Sequence, residues 1–220
     1  MKLKVCGMKY VDNIRQVAEL NPDYLGFIFY EKSKRNFEGI IPELPKEIKK
    51  AGVFVNEIPE IVVSLVEEYG LNMVQLHGDE SPEYLNRLKT IFKESIAEKH
   101  PKAKYKVPEI VKVFGIKDDF NFDILKPYEE VVDYFLFDTK GKERGGNGIT
   151  FNWKVLEKYN SEKPFFLSGG IGLEQIEEIN KLRNTDLPIY ALDVNSKFET
   201  ETGQKSVTKL KKFKNEISTK

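Results

Sequence analysis

The sequence predicts an α/β fold, a (β/α)8 barrel built as a single domain over residues 1–220. Eight short apolar runs recur along the chain, and helical periodicity fills most of the gaps, as is typical of βαβ units with a parallel sheet. The chain length lies near the lower limit for this barrel. A doubly wound open sheet is the rival fold, but it usually has a glycine-rich first turn, whereas the turn CGMKYVD contains one glycine.

The predicted elements alternate along the whole chain. The strands are predicted at 2–8, 24–30, 51–56, 73–78, 109–116, 131–139, 164–170 and 189–195. Helices are predicted at 11–20, 58–70, 81–88, 152–159, 173–182 and 206–213. Gly70 is expected to end the second helix, and Ser81 with Pro82 to begin the third. The proline-broken stretch 38–50 predicts at most a weak helix, and the lysine-rich segment 93–108 predicts a surface loop.

The composition excludes several classes of protein. Lysine plus arginine and aspartate plus glutamate each number 35, so no global field would draw the chain to nucleic acid or to a membrane. A single cysteine excludes an internal disulfide and a cysteine-cluster zinc site, and suits a reducing cytoplasm. We find no signal-peptide pattern and no apolar run near the ~18 residues of a membrane span. Nucleic acids and membranes are therefore not expected as partners.

Polar side chains cluster where the predicted strands end, which in a parallel barrel is the face that carries the chemistry. A barrel with a purely structural role would give no reason for acids, bases and glycines to gather at one rim. The strand-end residues are Cys6, Gly7, Ser33, Lys34, Arg35, Asn56, Gln75, His77, Asp138, Thr139, Lys140, Ser168, Gly169, Gly170, Asp193, Asn195 and Ser196.

Three loops that follow the late strands favour a phosphate site. Loop 6 carries RGGNG at 144–148, loop 7 carries SGGIG at 168–172 before a helix, and loop 8 carries DVNSKFE at 193–199. Glycines there let backbone N–H groups close on a small anion, and a helix N-terminus adds favourable partial charge. Any one loop could be only a turn, but the three together favour phosphate.

A set of ordered motifs resembles the phosphoribosylanthranilate isomerase family of tryptophan biosynthesis. The motifs are KVCGMK at 4–9, SKR at 33–35, VFVN at 53–56, VQLHGDES at 74–81, FDTK at 137–140, GGNG at 145–148, FFLSGGIG at 165–172, ALDVNSKFE at 191–199 and TGQK at 202–205. The resemblance implies a (β/α)8 barrel, an intramolecular oxidoreductase of the aldose–ketose isomerase type, without metal or organic cofactor, acting as a monomer or homodimer. It implies an Amadori rearrangement of N-(5-phosphoribosyl)anthranilate to 1-(2-carboxyphenylamino)-1-deoxyribulose 5-phosphate.

The resemblance also assigns roles to individual residues. Cys6 matches the general base, Asp138 the general acid, and Arg35 the arginine that holds the anthranilate carboxylate. Asp193 matches a polar rim residue near the sugar. The phosphate-binding positions are Gly146, Gly148, Gly169, Gly170, Asn195 and Ser196.

Two positions depart from the family pattern. Asn195-Ser196-Lys197 stands where Ser-Ser-Gly is common, which narrows the conformations open to loop 8, while Lys197 could add a charge contact with phosphate. Lys34 stands where a proline is common in loop 2.

The reaction requires an acid that protonates the ring oxygen and a base that removes the C2′ proton. A free aspartic acid is protonated in about one molecule per thousand at pH 7, so Asp138 should have a raised pKa, with burial beside apolar strand residues as one cause. A free thiol is only a few per cent thiolate at about pH 7, so a local cation should raise the thiolate fraction of Cys6. The candidates are Lys4, Lys9 and Arg35.

Other residues and functions remain as alternatives. His77 is expected to be a hydrogen-bonded inward residue, His100 to be exposed, and Lys205 to lie on a solvated helix face. Another phosphosugar-handling barrel enzyme is one alternative: the histidine-pathway isomerase usually has Asp where this chain has Cys6. The indole-glycerol-phosphate synthase relies on lysine and glutamate at strand ends, and neither is expected in these strand cores. A catalytically inactive phosphate-binding barrel is the other alternative.

Overall fold

The protein folds as a closed barrel of eight parallel strands, as the sequence predicts. The computed structural model describes residues 1–99, 107–117, 119–139 and 152–218. The strands are β1 Lys2–Val5, β2 Tyr24–Ile28, β3 Lys49–Phe54, β4 Met73–Leu76, β5 Glu109–Ile116, β6 Tyr134–Thr139, β7 Phe165–Leu167 and β8 Ile189–Val194. They pair in chain order, and β8 pairs with β1 to close the barrel. Most are shorter than the predicted runs, because those runs included the first loop residues.

The helices lie between the strands. They are α1 Val11–Ala18, α2 Pro59–Tyr69, α3 Pro82–Lys99, α4 Ile176–Arg183 and α5 Val207–Ser218, with 3-10 turns at Phe122–Tyr128, Trp153–Lys158, Leu173–Gln175 and Ser196–Phe198. The helix predicted over 152–159 is therefore a short 3-10 segment. Among the described residues 29–48 no helix forms, in agreement with the weak propensity of that stretch. No helix in the described part of the chain is long and apolar enough to cross a membrane.

The ends of α2 and α3 follow the expected signals. Gly70 adopts φ 59° and ψ 49°, the left-handed conformation that glycine tolerates at a helix C-terminus. The backbone N–H of Tyr84 donates to the Ser81 hydroxyl at 3.3 Å, just before α3 begins at Pro82.

The prediction of a surface loop over 93–108 is wrong for its first part. The helix α3 continues to Lys99, because KESIAEK contains mostly good helix formers and α3 packs against α2. Residues 100–106 of that segment, with His100, lie outside the described residues.

A short antiparallel hairpin follows β8, and the sequence did not indicate it. Its strands are β9 Glu199–Glu201 and β10 Gln204–Lys205, joined through Gly203 at φ 85°. The hairpin folds the end of loop 8 back toward α1, where the Asn13 side chain bonds both the backbone N–H and the carbonyl of Lys205. It thereby brings charged side chains to the mouth of the barrel.

Strand side chains alternate between the barrel interior and the surrounding helices. The larger apolar cluster lies between strands and helices, and a smaller one fills the barrel. The interior cluster contains Tyr24, Ala51, Met73, Val111, Val113, Leu136, Phe166 and Ala191.

The expectation that the strand cores lack lysine is wrong. Lys4 of β1 is fully buried, and Lys112 of β5 is 3% exposed. Each has an acidic partner: Lys4 Nζ lies 2.9 Å from Asp193 Oδ1, and Lys112 Nζ lies 3.2 Å from Glu80 Oε2. Burial of these lysines is tolerated because each charge is paired.

Candidate active site

One cavity opens at the carboxyl ends of the strands, and the described residues of the predicted site surround it. Cys6, Arg35, Asp138, Gly169, Gly170, Asp193, Asn195 and Ser196 all line it. Gly146 and Gly148 lie outside the described residues. The cavity is also lined by Gln75 and His77, to which the sequence analysis gave no catalytic or binding role, and by Lys197, the residue expected to add a charge contact with phosphate. Residues far apart in the chain therefore meet at one site, and their individual roles stay predictions.

A buried ion pair lies at this end of the barrel. Lys4 and Asp193 are register partners on β1 and β8, the two strands that close the barrel. Lys4 Nζ donates to Asp193 Oδ1 at 2.9 Å, and the side chains are 0% and 6% exposed. The pair places an ammonium and a carboxyl group beside the other titratable groups of the cavity, and burial raises the pKa of Asp193 while Lys4 acts to lower it.

The Cys6 thiol lies in a space that glycine creates. Cys6 follows β1 directly and is 4% exposed, and its N–H donates to the Val194 carbonyl at 2.9 Å. A Cβ atom on Gly26 would come within 2.8 Å of Cys6 Sγ, so only glycine in β2 leaves room for the thiol.

The net effect of its surroundings is to raise the pKa of Cys6, whereas the sequence analysis expected a nearby cation to favour the thiolate. Burial raises the pKa of the Cys6 thiol above its usual value, Lys4 and Lys205 act to lower it, and Asp193 acts to raise it. Lys4 is one of the three cations expected to favour the thiolate. Lys9, another, donates instead to the Lys34 carbonyl at 3.1 Å. Burial outweighs the cations, and the thiol is the dominant form at neutral pH.

Asp138 has the raised pKa that a general acid requires. It is the penultimate residue of β6 and 8% exposed. Burial, followed by the Asp193 carboxylate, raises the pKa of Asp138 from 3.8 to about 6, while the Thr139 N–H and Lys4 act to lower it. The Thr139 N–H donates to Asp138 Oδ1 at 2.9 Å. About one molecule in ten is then protonated at pH 7, about a hundredfold more than for a free aspartate.

His77 lies in the cavity, although the sequence analysis left it out of the site. Its Nε2 is 3.6 Å from Asp138 Oδ2, with 18% and 11% of the two side chains exposed. The inward position of a strand-end histidine was expected, but its proximity to Asp138 was not. The sequence did contain a signal for this: His77 lies two residues after Gln75, so strand alternation places both side chains on the same face.

Gln75 presents an unsatisfied acceptor at the cavity. The residue is 2% exposed, and its Oε1 is buried with no hydrogen-bond partner among the described residues. A buried carbonyl oxygen without a partner destabilises the fold by about 1–3 kcal/mol, so such groups at a cavity are often satisfied by a ligand.

A charged network spans the mouth of the cavity. Arg35 in loop 2 donates to Glu199 of β9 through Nε at 2.8 Å and Nη2 at 2.7 Å. Lys205 Nζ donates to Glu199 Oε1 at 2.7 Å and to Asn195 Oδ1 at 2.6 Å. The prediction that Lys205 lies on a solvated helix face is wrong, because β10 turns its side chain inward to 0% exposure.

The charges within this network perturb one another. Burial acts to raise the pKa of Glu199, but hydrogen bonds and charge from Arg35 and Lys205 hold it at about 2. Burial lowers the pKa of Lys205 to about 8, against the opposing effect of Glu199. Glu199 is therefore ionised throughout the neutral range, and Lys205 is close to its titration point.

At position 7 only glycine leaves room for the side chains of Arg35 and Asn195. It adopts φ 74°, and a Cβ there would meet Arg35 Cδ and Asn195 Oδ1, each at 2.8 Å. The missing side chain lets the arginine stem and the asparagine amide approach the end of β1.

Two of the three predicted phosphate loops, loop 7 and loop 8, line the cavity, and loop 6 lies outside the described residues. Gly169 and Gly170 have φ values of 89° and 66°, and a Cβ on Gly169 would lie 2.2 Å from Thr139 Oγ1. This close approach requires glycine at position 169. Ser196 begins a 3-10 turn that leads into β9. Among the described residues, no group of three or more His, Cys, Asp or Glu side chains is arranged to hold a metal ion.

Comparisons with known proteins identify the family of this chain. The family model for N-(5′-phosphoribosyl)anthranilate (PRA) isomerase matches residues 3–216. A curated N-(5′-phosphoribosyl)anthranilate isomerase from Parabacteroides distasonis is 41% identical over 224 residues, covering 99% of this chain and 93% of the relative.

Two of the similar solved structures are described with a bound ligand or with an oligomeric state. A phosphoribosyl anthranilate isomerase in complex with reduced 1-(o-carboxyphenylamino)-1-deoxyribulose 5-phosphate is 26% identical, with a TM-score of 0.74, covering 99% of this chain and 98% of that one. Monomers generated from the dimeric isomerase of Thermotoga maritima are 27% identical, with a TM-score of 0.69 and the same coverage.

Proposed function

This chain belongs to the N-(5′-phosphoribosyl)anthranilate isomerase family, an isomerase of tryptophan biosynthesis, and from that premise we propose how its own residues perform the Amadori rearrangement. Asp138 is the general acid and Cys6 the general base, with no cofactor. The observation that carries the proposal is the pair of buried titratable groups on one cavity, a carboxyl with a pKa of about 6 and a thiol beside a lysine.

In the first step, Asp138 donates its proton to the furanose ring oxygen. The C1′–O bond breaks, and the anthranilate nitrogen supplies the electron pair that forms the C=N bond of the iminium. The raised pKa increases the fraction of Asp138 that holds a proton at neutral pH, and an acid works best when its pKa lies near the working pH.

In the second step, the Cys6 thiolate removes the proton from C2′. The electron pair left on C2′ moves to form the C1′–C2′ double bond and neutralises the iminium, which gives an enolamine that tautomerises to the ketone. The reaction needs the neutral form of Asp138 for its first step and the minor thiolate form of Cys6 for its second. Lys4 increases the thiolate population, and Asp193 increases that of the neutral acid.

The two charged ends of the substrate bind on opposite sides of the reacting carbons. Arg35 binds the anthranilate carboxylate, and the phosphate binds the backbone at Gly169, Gly170, Asn195 and Ser196. Gly146 and Gly148 are proposed for the same phosphate from the sequence alone. The reduced product analogue bound by a relative carries both charged groups, and it is the ligand we propose for this cavity.

Gln75 adds a contact to the sugar. Its unsatisfied Oε1 can accept a hydrogen bond, and a hydroxyl group of the open-chain pentose is the donor that the substrate offers. The oligomeric state, monomer or homodimer, stays a prediction; the relative from Thermotoga maritima is described as dimeric.

The test is turnover of N-(5-phosphoribosyl)anthranilate, followed by the loss of its fluorescence. We expect the wild-type chain to turn the substrate over, and Cys6→Ala and Asp138→Asn each to lose activity by about 10²–10⁴-fold with unchanged circular dichroism. The exposed Asp119, changed to Asn, is the control for the carboxyl-to-amide change and should keep the wild-type rate. A near-normal rate in either site variant would remove the role proposed for that residue.

A further inference from the structure

We propose that Glu199 is a positioning residue: it holds Arg35 in the orientation that binds the substrate carboxylate, and it ties that end of the site to the phosphate end. This inference rests on the function proposed above, which places the anthranilate carboxylate at Arg35. Glu199 itself is not among the residues that line the cavity. It acts through the arginine rather than on the reacting atoms.

The contact between the two side chains fixes the guanidinium. Nε and Nη2 of Arg35 donate to Oε1 and Oε2 of Glu199 at 2.8 and 2.7 Å, and the side chains are 17% and 7% exposed. A guanidinium has two edges that can each bind a carboxylate through two parallel hydrogen bonds. Glu199 occupies the Nε edge, while Nη1 makes no hydrogen bond to the described residues, and Arg35 lines the cavity. The arginine can therefore bind a second carboxylate without releasing the first.

Glu199 is itself held by the hairpin. Its Oε1 also accepts from Lys205 Nζ at 2.7 Å and from the Gly203 N–H at 3.1 Å. Lys205 in turn donates to Asn195 Oδ1 at 2.6 Å. One carboxylate therefore connects the arginine proposed for the anthranilate end with an asparagine proposed for the phosphate end.

Losing Glu199 changes both the charge around Arg35 and the orientation of its guanidinium. Arg35 and Lys205 are two cations sharing one carboxylate. Without Glu199, the buried Lys205, whose pKa is already lowered to about 8, loses its partner and releases its proton more readily. The variant gains about half a unit of positive charge at pH 8, because deprotonation of the half-protonated Lys205 offsets only about half of the charge removed with Glu199. What it loses is the fixed orientation of the guanidinium, so its preference for a carboxylated ligand should fall.

The experiment compares two ligands by isothermal titration calorimetry at pH 8. One is reduced 1-(o-carboxyphenylamino)-1-deoxyribulose 5-phosphate, and the other is the same compound without the carboxyl group. The ratio of the two Kd values isolates the carboxylate contact from effects common to both ligands. We expect Glu199→Gln to lower the wild-type preference about tenfold, equal to about 1.4 kcal/mol. The matched control is Glu201→Gln, an exposed glutamate of the same strand β9, which should keep the wild-type ratio.

Two results would overturn the proposal. An unchanged ratio in Glu199→Gln would show that the arginine is oriented without Glu199, and tighter binding of the carboxylated ligand would show that Glu199 competes with substrate. If the Gln variant does not fold, Glu199→Asp keeps the charge but is too short to bond both Arg35 nitrogens and Lys205, and its ratio should also fall. Wild-type turnover of N-(5-phosphoribosyl)anthranilate, measured separately, reports the proposed function, so the two ideas fail in different measurements.

Discussion

Replacing Asp138 by asparagine should stabilise the fold at alkaline pH while it removes the proposed acid. The Asp138 carboxyl has a pKa of about 6 in the folded protein and 3.8 as its ordinary value. The folded state therefore holds this proton more tightly than the unfolded state does. It follows that the free energy of unfolding decreases as pH rises through the interval from 3.8 to 6.

The size of the effect follows from those two pKa values. At about 1.36 kcal/mol per pH unit, the difference between 6 and 3.8 amounts to about 3 kcal/mol, fully lost above pH 7 and about half lost at pH 5. Asparagine has the same shape, carries no charge and can still accept from the Thr139 N–H. We expect Asp138→Asn to be more stable than wild type by about 3 kcal/mol at pH 8 and by about half of that at pH 5.

The assay is urea unfolding of both proteins at pH 5 and at pH 8, with the midpoint and slope fitted together. The exposed Asp119, changed to Asn, serves as the control and should leave the unfolding free energy nearly unchanged at both pH values. An asparagine variant at position 138 that is no more stable than wild type at pH 8, or that gains equally at both pH values, would refute the reasoning.

Two further substitutions test the shape and the polarity of the cavity. Gly7→Ala should destabilise the fold by about 1–2 kcal/mol and raise KM, because φ is 74° and the new methyl would meet Arg35 and Asn195. Gly39→Ala is its control, since a methyl there makes only ordinary contacts. An unchanged KM in Gly7→Ala would contradict the packing argument. Gln75→Met should stabilise the fold by about 1 kcal/mol, because it removes an unsatisfied buried oxygen, and it should lower kcat/KM. Urea unfolding measures the first effect and steady-state kinetics the second. A variant less stable than wild type would show that the oxygen has a partner.

Most of the fold was predictable because the barrel repeats a local pattern. Each strand is a short apolar run that packs on both faces, and each is followed by a turn and a helical stretch, so periodicity locates it. The β5 strand Glu109–Ile116 agrees with its predicted bounds to the residue. The hairpin β9–β10 was missed because strands of three and two residues are too short to show alternation.

The rim of the site was predictable for a related reason, since the ends of parallel strands converge on one face. The partners of the buried charges were not. Lys4 and Asp193 are separated by 189 positions in the chain, and Lys205 looks like any lysine of the solvated surface until the hairpin turns it inward. A single sequence shows which side chains are charged, but only the folded chain shows which opposite charge permits their burial.

The salt bridge between Lys4 of β1 and Asp193 of β8 acts differently on the two titratable groups at the mouth of the barrel. At the sulfur of Cys6, the ammonium of Lys4 outweighs the carboxylate of Asp193; at Asp138 the order is reversed. The pair behaves as a small fixed dipole that draws negative charge toward sulfur and repels it from the opposing acid. Since the dipole exists only once β1 and β8 have joined, the contact that closes the barrel also produces these opposite effects on the two pKa values.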